Sequence, residues 1–406
     1  MRGKSNPSRG FTLLEMSISA AIGLVLISAA AKLYSKALSV SVTTSQRAQL
    51  QQDFRAAANL LQRDISMAGA GALGQQGLST SAVGLPASTG TLPVYPCTAL
   101  VTCNYVNNLP VAYPVNPTGS TVPYLYSIIP GYDFGITVNA AQGATDIITV
   151  ISADPNIQLN CYSGTMNAAG TQVTFQLPIA LPSTCVLPIT ASGVALTTPE
   201  PLNAAVPIGL QVGDMILFGS NAVGVVTGPV GICAPNPAAT YSACYTVPFA
   251  ANADPGHINQ PTAASGSLAQ YANSATPSAV RLQMVTYYLA IPPSTGLPTL
   301  MRLQNGQQPA PVAENVVYLK FTYDVINNGT VTTNQASLPA GTTPAMITKV
   351  NILHMSMRSQ GRDNWSRSSL AQYGGYEGLD LQTSVAARNL TSQQEYPMSC
   401  STPPCY

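Results

Sequence analysis

The longest unbroken apolar stretch runs from Phe11 to Ala31, 21 residues with one ionisable side chain, Glu15. At about 1.5 Å per residue, a helix over this run is roughly 31 Å long, matching the ~30 Å hydrocarbon core of a bilayer. Arg2, Lys4 and Arg9 precede it. A positive flank before an apolar span predicts a cytoplasmic N-terminus and an exported remainder. Beyond the span, Leu50, Phe54, Ala57, Leu61, Ile65 and Ala68 recur at steps of three and four, with Gln51, Gln52, Arg55, Gln62 and Arg63 between them. That spacing predicts a helix with one buried face. No proline occurs between Ser8 and Gly84, and Gly69-Ala70-Gly71 supplies a stop signal. The expected helix therefore runs from Phe11 to Ala68, about 87 Å. Its weakest stretch is Ser39–Ser45, β-branched and hydroxylated, where a flexible or partly melted turn is expected.

The pattern then changes period. Gly69 to about Tyr126 reads as loop, rich in Gly, Ser, Thr and Pro, and so does 251–279. Short apolar runs follow turn residues at Asp146–Ile151, Met215–Phe218 and Ala222–Thr227, and each reads as a strand. Val285, Tyr287, Leu289 and Ile291 alternate with their neighbours. Val317, Leu319, Phe321, Tyr323 and Val325 alternate with Tyr318, Lys320, Thr322 and Asp324, which predicts a half-buried strand. Asn327-Asn328-Gly329 is a hairpin turn signal. In Lys349–Arg358 the apolar phase slips from Val350 and Ile352 to Leu353, Met355 and Met357, which predicts a bulge or a strand buried on both faces. The expected fold class is α+β: a long N-terminal helix packed on an antiparallel sheet, with large β-rich loop insertions.

Charged residues make up only 8% of the chain against 46% hydrophobic, so a packed core is expected and not a self-repelling, disordered one. The net charge of +1, with no basic run beyond the leader, leaves no electrostatic footprint for nucleic acid. Eight cysteines fall in neighbouring pairs, Cys97/Cys103, Cys161/Cys185, Cys233/Cys244 and Cys400/Cys405. Neighbour pairing is the most economical of 105 connectivities, and disulfides in an oxidising compartment agree with export. The metal-binding alternative finds no Cys-x-x-Cys, and His257 and His354 lie far from any cysteine pair. No catalytic residue, metal site or cofactor is expected. The chain lacks Gly-x-Ser-x-Gly, the Gly-rich phosphate loop that ends in Gly-Lys-Ser/Thr, His-Glu-x-x-His and an EF-hand loop. His354 reads as a core histidine in a strand, and Trp365, the single tryptophan, as a packing residue at a loop base. A calcium ion on loop carbonyls would escape such a motif search.

Glu15 is the residue that a plain membrane anchor does not explain, because a carboxylate in lipid costs at least ~2.5 kcal/mol and needs a partner. An ordinary secretory signal is a second reading, since Ala29-Ala30-Ala31 fits the small-x-small cleavage rule. A third comes from resemblance. Gly10-Phe11-Thr12-Leu13-Leu14-Glu15 resembles the type IV prepilin signature. The resemblance implies cleavage after Gly10 by a prepilin peptidase and N-methylation of Phe11. It also implies pairing of Glu15 with the N-terminal amine of a neighbouring subunit. The helix-kinking proline of many major pilins is missing from residues 11–31.

Four further stretches resemble the PilW type of minor pilin: Arg63–Gly69, Val212–Leu217, Val285–Leu289 leading to Leu300–Arg302, and Thr383–Leu390. The organisation this implies is a leader at 1–10, a spine helix at 11–68 with its transmembrane segment at 11–31, and an exported head at 69–406. The head divides into an insertion-rich part (69–280), a C-terminal sheet (281–392) and a cysteine-containing tail (393–406). The expected function is that of a non-enzymatic minor pilin, a low-copy filament or tip subunit acting in pilus assembly or initiation. Its partners would be the prepilin peptidase, other pilins through the spine helix, the inner-membrane assembly platform and the inner membrane itself. A minor pseudopilin of a type II secretion system and a pilus-tip adhesin are the alternatives. The expected location is the bacterial inner membrane, single-pass with a periplasmic head, and then the cell-surface pilus.

Overall fold

A computed structural model describes residues 12–71, 82–84, 124–140, 142–154, 156–183, 185, 187, 198–204, 209–219, 222–234, 241–251, 253, 258–259, 267–305, 307–327, 329–339, 342, 346–358 and 378–387. Helix α1 spans Leu13–Ser66, 54 residues without a break. It starts one residue after Thr12, whose extended backbone and side-chain oxygen make it the N-cap. Ser39–Ser45 is helical, against the expectation of a melted turn. The hydroxyls that weaken helix propensity can be satisfied inside the helix, as Thr44 Oγ1 does by donating to the Val40 carbonyl at 2.8 Å. At the far end Gly69 (φ 73°) takes the left-handed conformation that stops the helix. The departing chain is stitched to a strand, with Gly69 N–H donating to Ile151 O (2.8 Å) and Ala153 N–H donating to Ala70 O (2.7 Å).

In chain order the strands are β1 (Ala82–Gly84), β2 (Tyr124–Tyr126), β3 (Ile128–Gly131), β4 (Ile147–Ala153), β5 (Ser163–Met166) and β6 (Gln172–Pro178). Next come β7 (Met215–Phe218), β8 (Ala222–Val225), β9 (Gly231–Ile232), β10 (Tyr241–Pro248), β11 (Ala279–Ala290) and β12 (Thr299–Gln304). The last are β13 (Ala310–Glu314), β14 (Val316–Asn327), β15 (Thr330–Gln335), β16 (Ile347–Arg358) and β17 (Gly378–Ala386). Every pairing is antiparallel.

Where one sheet was expected on the helix, the described strands form four, and α1 shares one core with two of them. The larger has the order β13-β12-β11-β4-β3, with β7 and β8 extending it beside β11; the other has the order β15-β14-β16-β17. Phe54, Ala57, Leu61, Ile65 and Ala68 on α1 pack with Val150, Val285, Tyr287 and Leu300 of the first sheet and Leu319, Phe321 and Ile352 of the second. The long strand β11 pairs with β7 over Ala279–Leu282 and with β4 over Leu282–Tyr287, so it carries both arms of the larger sheet. A separate core around Phe175, Phe218 and Phe249 lies beneath the sheet β5-β6-β10-β9.

Two local expectations are met. Asn327 pairs with Thr330 across a tight turn in which Gly329 has φ 78°, so β14 and β15 form the hairpin that the turn residues predict. The phase slip in β16 is a bulge: its register against β14 and against β17 shifts between Ile352 and Met355. β14 is more buried than its alternation implies, because Asn334 N–H and Asn351 Nδ2 both donate to Asp324 Oδ1 at 2.9 Å and cover its polar face.

The tyrosines set an alkaline limit. Burial pushes the Tyr288 phenol from 10.0 up to about 12, and burial raises Tyr162, Tyr245 and Tyr271 as well. Tyr287 is raised by burial and then by the neighbouring Asp64 carboxylate. A phenol whose folded pKa exceeds its unfolded one stabilises fully below about pH 10, and that stability is lost as pH rises through the folded value. Circular dichroism of the full chain in detergent is therefore expected to hold to about pH 10 and to collapse cooperatively before about pH 12. A signal unchanged through that window would contradict this.

Candidate assembly site

At the start of α1, Glu15 and Thr12 close a reciprocal capping box. Thr12 N–H and Thr12 Oγ1 both donate to Glu15 Oε2 at 3.1 Å, while Glu15 N–H donates to Thr12 Oγ1 at 3.3 Å. The carboxylate is exposed, and both hydrogen bonds fall on one of its oxygens. It has no ion-pair partner among the described residues. Gly10 and Phe11 lie outside the described residues.

Around and beyond Glu15 the helix is bare. Leu14, Met16, Ile18, Ile22, Leu24, Val25, Leu26 and Ile27 are all exposed, and they point in every direction around the axis. A helix apolar all round and uncovered by its own protein requires lipid or other helices about it. By length and composition, Leu13–Val42 is long and apolar enough to cross a membrane. Among the described side chains, burial by the protein itself begins at Phe54. One helix therefore has two environments: a naked apolar half and a half anchored in the head.

The anchor is polar as well as apolar. Asp64 Oδ2 accepts from the Tyr287 hydroxyl at 2.6 Å and from Arg302 Nε at 2.9 Å, and Arg302 Nη1 donates to Gln304 Oε1 at 3.0 Å. Two residues earlier, on the other sheet's side, Gln62 Nε2 donates to Thr383 Oγ1 at 3.0 Å. Asp64, Tyr287, Arg302 and Thr383 belong to three of the four further stretches that the sequence singles out, and the fold brings those three to the helix–sheet joint. The fourth, Val212–Leu217, supplies Asp214 to a buried cluster with Arg281.

The structure joins Cys161 to Cys185 and Cys233 to Cys244. Cys97, Cys103, Cys400 and Cys405 lie outside the described residues, as do His257 and Trp365. The His354 backbone sits in β16 opposite Lys320; its side chain is outside the description. Among the described residues no group of three or more His, Cys, Asp or Glu side chains is gathered to hold a metal ion.

Residues 5–31 match the prokaryotic N-terminal methylation motif. No curated protein and no solved structure matches the chain. The motif supports a type IV pilin-like or pseudopilin protein, a structural and generally non-enzymatic class. It implies processing by prepilin peptidase and assembly with other pilins. The apolar helix that carries it fits membrane anchoring.

Proposed function

We propose that the chain is a minor pilin of the PilW type, an assembly or initiation subunit of a type IV pilus. It is trimmed between Gly10 and Phe11 and methylated on Phe11. The observation that carries this reading is the continuity of α1. The methylation motif opens a 54-residue helix whose first half is bare and apolar and whose last turns are bonded into a large head. Such a helix is stable in lipid and stable among other helices, so it can pass from one to the other. Glu15 is the group that distinguishes the two states. In lipid it has only its capping bonds to Thr12; beside the N-terminal amine of another subunit it forms a charge pair that a low-dielectric core strengthens.

In this reading the head lies in the periplasm and later on the cell surface, and the partners are the peptidase, other pilins and the inner-membrane assembly platform. The size of the head relative to the helix favours a low-copy position over a repeated packing unit. Substituting Gly10→Val tests the processing step. Immunoblots are expected to show the longer, uncleaved form persisting in membranes and absent from sheared filaments. Normal trimming of that variant would remove the cleavage assignment.

A further inference from the structure

Beyond the last turn of α1, the face of the large sheet changes from apolar to polar and a cleft opens. Side chains alternate along each strand, so the residues in line with the core positions Val150, Val285 and Leu300 also face the helix. Those residues are Ser152 and Asp154 on β4, Gln283 on β11, and Arg302 and Gln304 on β12. Register confirms the rows: Val150 lies opposite Val285, Ser152 opposite Gln283, and Val285 opposite Gln304. Leu60, Arg63, Asp64 and Met67 form the facing wall, and the space enclosed is about 400 Å³.

Several groups here have no partner. Ser152 is only 7% exposed, yet its hydroxyl makes no hydrogen bond among the described residues. The hydroxyl opens onto the cavity, where it is free to donate to or accept from a ligand. The Gln283 amide and the Arg63 guanidinium are also unpartnered among the described residues. The two carboxylates in the cleft are already neutralised. Asp64 is held by Tyr287 and Arg302. Asp154 is held by Arg281 and by the Asn156 N–H at 2.9 Å. The unspent charge at the mouth is therefore that of Arg63.

We propose that this cleft takes an acidic side chain carried on a polypeptide. Arg63 pairs with the carboxylate, Ser152 and Gln283 meet the flanking amide groups, and Leu60, Met67 and Val285 cover the aliphatic stem. The lining contains no Phe, Tyr or Trp, and so lacks the flat apolar platform on which a sugar ring packs. The proposal concerns the head alone and does not depend on the pilus reading.

The test uses the full chain in detergent micelles and three blocked tripeptides, Ala-Glu-Ala, Ala-Gln-Ala and Ala-Lys-Ala, with binding read by saturation-transfer NMR at millimolar peptide. The Glu peptide is expected to bind about fivefold more tightly than the Gln peptide, with the Lys peptide weakest. Arg63→Glu, at an exposed position that leaves the fold intact by circular dichroism, is expected to reverse the order of the Glu and Lys peptides. Ser152→Ala is expected to weaken Glu-peptide binding about threefold. Equal binding of the three peptides, binding of none, an unchanged order in Arg63→Glu, or displacement of the Glu peptide by galactose would each overturn the proposal.

Discussion

Glu15→Ala is expected to leave the protein exported and inserted in the membrane while abolishing its recovery in sheared filaments. The capping box alone cannot produce so large an effect. Thr12 Oγ1 still caps the Glu15 N–H when the side chain is lost, and the capping contribution is about 1 kcal/mol. Loss of a charge pair in a low-dielectric core is worth about 3–5 kcal/mol, because the partner amine is left buried and uncompensated. Glu15→Gln separates the two effects. Glutamine closes a capping box as well as glutamate does, yet carries no charge. It is expected to fail in filaments as alanine does. Filament incorporation of the Gln variant at wild-type levels, judged by immunoblot against the membrane fraction, would reduce Glu15 to a helix cap.

The largest stability effect is expected at Arg281. Its guanidinium is bonded to Asp154 and lies 3.2 Å from Asp214, and all three side chains are at most 6% exposed. Asp214 is further held by the Asn305 amide at 3.0 Å and the Gln211 N–H at 2.8 Å. Arg281→Met keeps most of the volume and removes the only cation in the described cluster, leaving two buried carboxylates to repel each other. Destabilisation by about 3–5 kcal/mol is expected, read as a lowered denaturant midpoint of the full chain in detergent. Adding Asp154→Asn and Asp214→Asn to Arg281→Met is expected to restore part of the loss. A single-variant effect below about 1 kcal/mol would mean that the cluster is solvated and its charges are screened.

The spine helix was legible in the chain because its signals are local. The apolar run, the 3–4 spacing from Phe54 to Ala68 and the glycine stop all lie within reach of a periodicity argument. Ser39–Ser45 misled for the same reason: a propensity argument weighs the residue and not the unbroken helix around it, in which hydroxyls bond to carbonyls one turn back. The strands around Val285 and Val317 were readable from alternation, but their division between two sheets was not. That division depends on pairing between strands far apart in sequence, β11 with β4 and β7 in one sheet and β14 with β16 in the other. The joint at Asp64 was missed as a site, since Tyr287 and Arg302 lie 223 and 238 residues away in sequence. The only trace in the sequence is that all three fall in short stretches that resemble minor pilins. Glu15 was legible from the start, as a lone charge in an apolar run; the structure adds that Thr12 occupies one of its oxygens.

Intact-mass analysis of the protein recovered from filaments or membranes tests the central claim most directly. The account predicts a chain that begins at Phe11 and carries one added methyl group on its N-terminal nitrogen. Retention of residues 1–10, or a chain cut after Ala31, would contradict it.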